Sequence, residues 1–183
     1  MSIDLPFGIA RTKRYEDLNR DFEWRVPETF NFATDVVDAW AAAGDGLALI
    51  TRNAADEVRE YRFSDIARQS KRLADVLRRN GVRKGDRVIA MLPRIAEWQI
   101  TMTACFRIGA VAIPCIEMLT ANDMAYRVEN SDARAVVCRA SQVEKFAAVA
   151  NQIPVRIAIG GAPEWLDFEV ECAAADENVT AER

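Results

Sequence analysis

Histidine is missing from all 183 residues, which removes every Ser-His or Cys-His nucleophile pair and every His-ligated metal from the chemistry these residues could perform by themselves. Cysteine is sparse. Cys105, Cys115, Cys138 and Cys172 lie far apart with no C-x-x-C pair, so buried free thiols are expected rather than a disulfide framework or a zinc site. No run approaches the ~18 apolar residues needed to cross a bilayer, and the first 14 residues hold no apolar block of signal-peptide length. A cytoplasmic protein without a membrane span is therefore expected. An excess of basic charge is also lacking: 24 Lys and Arg stand against 28 Asp and Glu, net −4. A phosphate-backbone binder needs clustered cations, so nucleic acid is not expected as a partner. Neither G-x-G-x-x-G nor G-x-x-x-x-G-K-[ST] occurs.

What is present is the balance of a globular chain, with 50% hydrophobic and 28% charged residues. A domain of this length buries roughly 70% of the surface its unfolded chain exposes, enough for one core. The first thirty residues mix charge with isolated aromatics (Tyr15, Phe22, Trp24) and read as an arm. From Asn31, the residues Phe32, Val36, Val37 and Trp40 recur at helical spacing up to Gly44 and Gly46, predicting an amphipathic helix. Runs 47–52 and 58–63, separated by a short polar segment, predict a hairpin, which could form a lobe of its own. Ser64 is placed to cap a helix carrying Ile66, Leu73, Val76 and Leu77 on one face and ending at Gly81.

After residue 85, strand and helix alternate. Strands are predicted at 87–92, 110–113, 134–138 and 155–159, the second ended by Pro114. Helices fall at 94–108, near Thr120 with Asp123, and near Ser141 with Glu144, the last two opening with capping-box spacing. This order predicts an α/β fold: a parallel sheet wound by right-handed crossovers, with flanking helices and the hairpin. A last helical element covers 163–175, with Pro163 in its first turn, and residues 176–183 read as an unstructured tail.

Ligands of such sheets sit at the carboxyl ends of the strands. Gly160-Gly161 follows a predicted strand and precedes a helix, the context in which backbone amides meet a phosphate. Of the carboxylates Glu117, Asp123, Glu129 and Asp132, Asp123 already has a capping role, and no paired acid–base arrangement is expected. Without histidine, Cys105 and Cys115 read as small buried side chains rather than nucleophiles. Trp98, Met102 and Ile108, at near-helical spacing, read as core.

One block carries a resemblance. Residues 87–93 (Arg-Val-Ile-Ala-Met-Leu-Pro), Glu97-Trp98 inside a helix, and 105–114 (Cys-Phe-Arg-Ile-Gly-Ala-Val-Ala-Ile-Pro) resemble the strand, helix and "G-A-V-x-x-P" strand of AMP-forming acyl- and aryl-CoA synthetases. Tyr61 to Ile66 is similar to the family's early "tyrosine-x-glutamate-leucine" helix start, with Phe63 for tyrosine and Asp65 for glutamate. Leu119-Thr120, Asp123 and Tyr126-Arg127 are similar to the "L-T-x-x-D-x-x-Y-R" of the medium-chain branch.

The resemblance spans residues 30 to 170 and implies the partial amino-terminal domain, 31–175, of an acid–thiol ligase for medium-chain fatty or aromatic acids. In the parent, a carboxylate attacks Mg-ATP to give an acyl-adenylate, and the thiol of CoA then displaces AMP. ATP, Mg²⁺ and CoA are thus implied for the full-length parent, and none is expected to bind tightly to these residues alone. The family's Ser/Thr/Gly-rich phosphate loop and its catalytic lysine match nothing here, so no catalytic and no metal residue is assigned. The chain is expected to be a front portion, inactive alone and prone to self-association. The resemblance also implies that Ile116, Glu117, Met118 and Arg127 lie near the CoA path. The competing expectation is a stand-alone, non-catalytic α/β module that binds a nucleotide or a partner.

Overall fold

The structure is a computed structural model that describes residues 14–22 and 27–183, in two units divided after Phe30. Within the first unit, helix α1 (Tyr15–Asp21) carries an Arg20–Asp17 ion pair at 3.0 Å. The rest of the expected arm, Trp24 included, lies outside the described residues.

The second unit opens with a helix that winds differently from expectation. Ala33–Asp38 forms a π-helical turn that passes into α2 (Ala39–Ala42). The wider winding turns Ala33 and Val37 to the interior and leaves Phe32 37% exposed. The hairpin forms as predicted, with β1 (Leu47–Arg52) antiparallel to β2 (Val58–Arg62). Helix α3 (Phe63–Arg79) follows, and Ser64 is not its cap. Its N–H and hydroxyl both donate to Asp45, bonds that hold the Asp45 carboxyl below the usual carboxylate range, while Asp65 accepts from the Arg62 N–H.

The remaining strands, β3 (Arg87–Met91), β4 (Val111–Cys115), β5 (Ala135–Arg139), β6 (Val155–Ile159) and β7 (Leu166–Asp167), make one parallel sheet in the order β4-β3-β5-β6-β7. The chain first steps from β3 to β4, then returns to the other side of β3, which makes the sheet doubly wound. Its central strands read as nearly continuous apolar runs because both faces are covered. Val88, Ala135, Val137 and Ile157 pack toward α3, α4 (Ala96–Arg107) and α6 (Phe168–Ala173). Ile89, Met91, Val136 and Cys138 pack on the other face, toward Met124 and Val128 of α5 (Ala121–Ser131) and toward Phe146 and Val149.

Three details correct the expectations. Residues 140–152 wind as a 3₁₀ helix without a side-chain cap at Ser141. The segment expected as one helix over 163–175 supplies β7 first, and α6 begins only when Asp167 accepts from the Val170 N–H at 2.9 Å. The tail 176–183 forms no helix or strand but is tied down: Glu182 N–H donates to the Arg107 carbonyl at 2.8 Å, and Arg183 pairs with Asp35 at 2.6 Å. The Thr120 cap does form, reciprocally with Asp123. Gly109, which closes α4, has φ +67°, and a Cβ there would meet Lys84 Cγ at 2.8 Å, so the "G-A-V" glycine has a backbone reason.

Beneath α3, Arg107 is 1% exposed, and Asp38 of the π-helical turn neutralises it through two hydrogen bonds of 2.9 Å. Asn31 Nδ2 adds bonds to the carbonyls of Phe106 and Glu182, so helix, turn and tail meet at one node.

Pro114 sits inside β4 rather than after it. Val111 N–H points toward β3, donating to Asp86, so alternation turns the nitrogen of residue 114 outward, where proline offers no donor. The outer edge of β4 is therefore blunted at its fourth residue. Pro114→Val restores an outward N–H on an edge whose Val111 is half exposed, and light scattering at tens of micromolar is expected to show more association than in the parent chain. Asp38→Ala strands a buried guanidinium and is expected to cost about 3 kcal/mol, read from the urea midpoint.

Candidate functional site

Open α/β sheets hold ligands where the strand order reverses, outside the carboxyl ends of the strands. The reversal lies at β3, and a cavity of about 830 Å³ opens at the carboxyl ends of β3 and β4. Three segments wall it: residues 49–52 of β1, residues 92–95 with Trp98 and Gln99, and residues 114–118. The hairpin is thus part of the site's wall. Apolar side chains dominate the lining, among them Leu49, Leu92, Ile95, Trp98 and Cys115, while Ile50, Ile116 and Met118 stand exposed at the rim.

The charged groups of the lining differ in how they are used. Glu117 accepts from Nε and Nη2 of Arg139, and its carbonyl accepts from Lys145 Nζ, so the loop after β4 is fastened to the end of β5 and to the 3₁₀ helix. The same hydrogen bonds raise the Arg139 pKa, keeping that guanidinium charged. Arg52 pairs with Asp56 at 3.0 Å. Arg94, exposed at the mouth, has no hydrogen-bond or ion-pair partner among the described residues. A smaller cleft of about 260 Å³ shares Thr51, Arg52, Arg94 and Ile95 with the cavity and adds Glu57, Arg59 and Glu97.

Of the residues singled out from sequence, Ile116, Glu117 and Met118 come together at this cavity. Arg127 does not line it. It lies one layer behind, donating to the Asp123 carbonyl at 3.1 Å and hydrogen-bonding with the Cys115 thiol. Burial pushes that thiol's pKa up, and Arg127 offsets it only in part, so Cys115 is not an activated nucleophile. Gly160 and Gly161 lie at the end of β6, away from the cavity. Their N–H groups already donate to Glu169 at 3.1 Å and to the Ala158 carbonyl at 3.3 Å, and the Asp167 carboxylate crowds Gly161. That turn presents carboxylates and occupied amides, a poor seat for a phosphate. The candidate acids also stay apart, with Glu117 on Arg139, Asp123 on its cap and Asp132 on Arg87 at 2.8 Å.

Sequence reasoning missed Arg94, the hairpin residues and the cavity-lining side of Trp98. Trp98 packs against the core as its spacing predicts, and it also lines the cavity, which the spacing did not signal. The available signal was position: Arg94 follows Pro93 directly beyond β3, where the doubly wound order places the crevice.

Comparisons with known proteins agree in direction. The family described as AMP-binding enzyme matches residues 37–181. The chain is similar to the human "Acyl-coenzyme A synthetase ACSM5, mitochondrial" at 32% identity over 178 residues, which is 91% of this chain and 30% of that protein. With the rat "Acyl-coenzyme A synthetase ACSM2, mitochondrial" it shares 35% identity over 156 residues, 79% of this chain and 27% of the relative. In structure it resembles an acyl-CoA synthetase from Brucella canis, with TM-score 0.82 and 25% identity over 93% of this chain and 34% of the other. The chain thus spans about a third or less of the relatives it matches.

Burial raises the thiols of Cys105, Cys138 and Cys172 to about 12, from an ordinary value of 9.0. At pH 8 such a thiol is ionised about once in ten thousand molecules, so iodoacetamide is expected to label these three slowly in the native state and rapidly in urea, counted by mass spectrometry. The stability these raised pKa values contribute is full below pH 9 and lost as pH climbs toward 12.

Proposed function

This chain belongs to the AMP-binding enzyme family, and from that premise we propose that it is the amino-terminal portion of an ATP-dependent acyl-CoA synthetase acting on medium-chain fatty or aromatic acids. The observation that carries this reading is the match, over nine-tenths of the chain, to a protein whose name states acyl-coenzyme A synthesis. The chemistry explains why ATP is needed. A carboxylate is a poor electrophile, and joining it to AMP supplies a leaving group that the thiol of CoA displaces. ATP, Mg²⁺ and CoA belong to that whole reaction. The part of these residues is to scaffold one side of the site: β3 and β4 end at the crevice, and the fastened loop of Ile116, Glu117 and Met118 offers a firm wall beside a CoA path.

These residues hold no histidine and no Ser/Thr/Gly-rich loop ending in lysine, and we propose that alone they do not turn over substrate. One observation favours the second reading, a self-standing binding module: both sheet faces are covered by the chain's own helices. The purified chain with ATP, Mg²⁺ and octanoate or benzoate is expected to release no pyrophosphate above the protein-free rate. Robust release would overturn the claim that essential parts lie elsewhere.

A further inference from the structure

We infer that Arg139 and Lys145 are positioning residues for the cavity at the ends of β3 and β4: neither lines it, and both set its shape by latching the loop of Ile116, Glu117 and Met118 across the end of β3. Sheet order makes the latch a bridge. β4 and β5 flank β3 on opposite sides, about 10 Å apart at the usual strand spacing, and Glu117 leaves the end of β4 to meet Arg139 at the end of β5. The loop is thereby drawn over the point where the strand order reverses.

Packing does not account for how the loop is held. Its ends are set by the pairing of Cys115 with Met91, by Leu119 against the core and by the Thr120 cap, but Met118 is 88% exposed and Ile116 also faces solvent. Between those ends Glu117 is gripped at two separate places. Arg139 presents its planar fork to both carboxylate oxygens, with Nε on Oε1 at 2.6 Å, while Lys145 Nζ donates to the main-chain carbonyl. One grip fixes the side chain and the other the backbone, so the wall's position depends on both. A wall held in this way is formed before any ligand arrives, and the ligand bears no cost of ordering it. Under the ligase reading, the two residues govern how CoA is seated without touching it. That consequence rests on the reading, whereas the latch does not.

Cys115 reports on the latch, because it is buried and lines the cavity beside the loop. Iodoacetamide labelling of the native full chain, resolved by residue with mass spectrometry, is read beside hydrogen exchange in peptides covering 116–119. Arg139→Ala is expected to speed both about tenfold, and Lys145→Ala to speed both by a smaller factor. Arg139→Lys keeps the charge without the fork and should restore part of the loss. Arg68→Ala, which removes a pair with Asp65 on α3, should change neither rate. Cys105, buried on the other face of the sheet, should stay slow throughout, which shows that each variant is folded. Should Arg139→Ala unfold and label there too, Lys145→Ala decides. The inference is overturned if Cys115 and the loop react at the parent rate in the folded variants, or if Arg68→Ala speeds them equally. Labelling needs no ligand, so that outcome leaves the ligase reading standing, just as pyrophosphate release by the chain would leave the latch standing.

Discussion

A guanidinium that keeps 1% of its surface in water must be neutralised where it lies, and the contact between Arg107 and Asp38 does this at the junction of four segments. Arg107 ends α4, Asp38 belongs to the π-helical turn, Ser70 of α3 approaches the same guanidinium, and Asn31 gathers the carbonyls at the end of α4 together with the tail. The outcome is one rigid helical layer rather than separate helices. That layer covers a face of β3, β5 and β6, and the alignment of those strands sets where their carboxyl ends open. Buried ion pairs of this kind are weak evidence of net stability, since apolar residues of equal volume would avoid the desolvation cost.

The legible part of the fold was the part governed by local pattern. Strand 155–159 and the hairpin strand 47–52 sit where alternation and composition placed them, and Thr120 caps as its spacing with Asp123 implied. What escaped depended on partners distant in sequence. Ser64 has the side chain of a cap, but Asp45, nineteen residues earlier, claims both its donors. Pro114 looked like a stop, yet an edge position lets proline continue a strand. Two residues of β7 were hidden inside a helical pattern because a strand so short has no period of its own. The tail has few apolar residues, and its order comes from ion pairs such as Arg72–Glu177 that no local rule could supply.

The same division runs through the site. Family likeness pointed at the loop of Ile116, Glu117 and Met118, which lines the cavity, whereas its fastening by Arg139 and Lys145 emerged only from the packing. Gly160 and Gly161 had the right sequence context for a phosphate cradle, and the fold filled that context with carboxylates. A motif states which backbone shapes are available, and the neighbours decide what the shape holds.

The cavity's three walls also bear on how the molecule comes together. Residues 49–52, 92–95 with Trp98 and Gln99, and 114–118 meet only where the crossover from β3 to β4 is closed and the hairpin sits against the sheet end, while at the start of α3 Phe63 stacks on Trp40 at 5.5 Å. The concave wall is therefore shared property: when the hairpin lifts from the sheet end the cavity loses one of its three sides, while the parallel sheet keeps all of its own pairings.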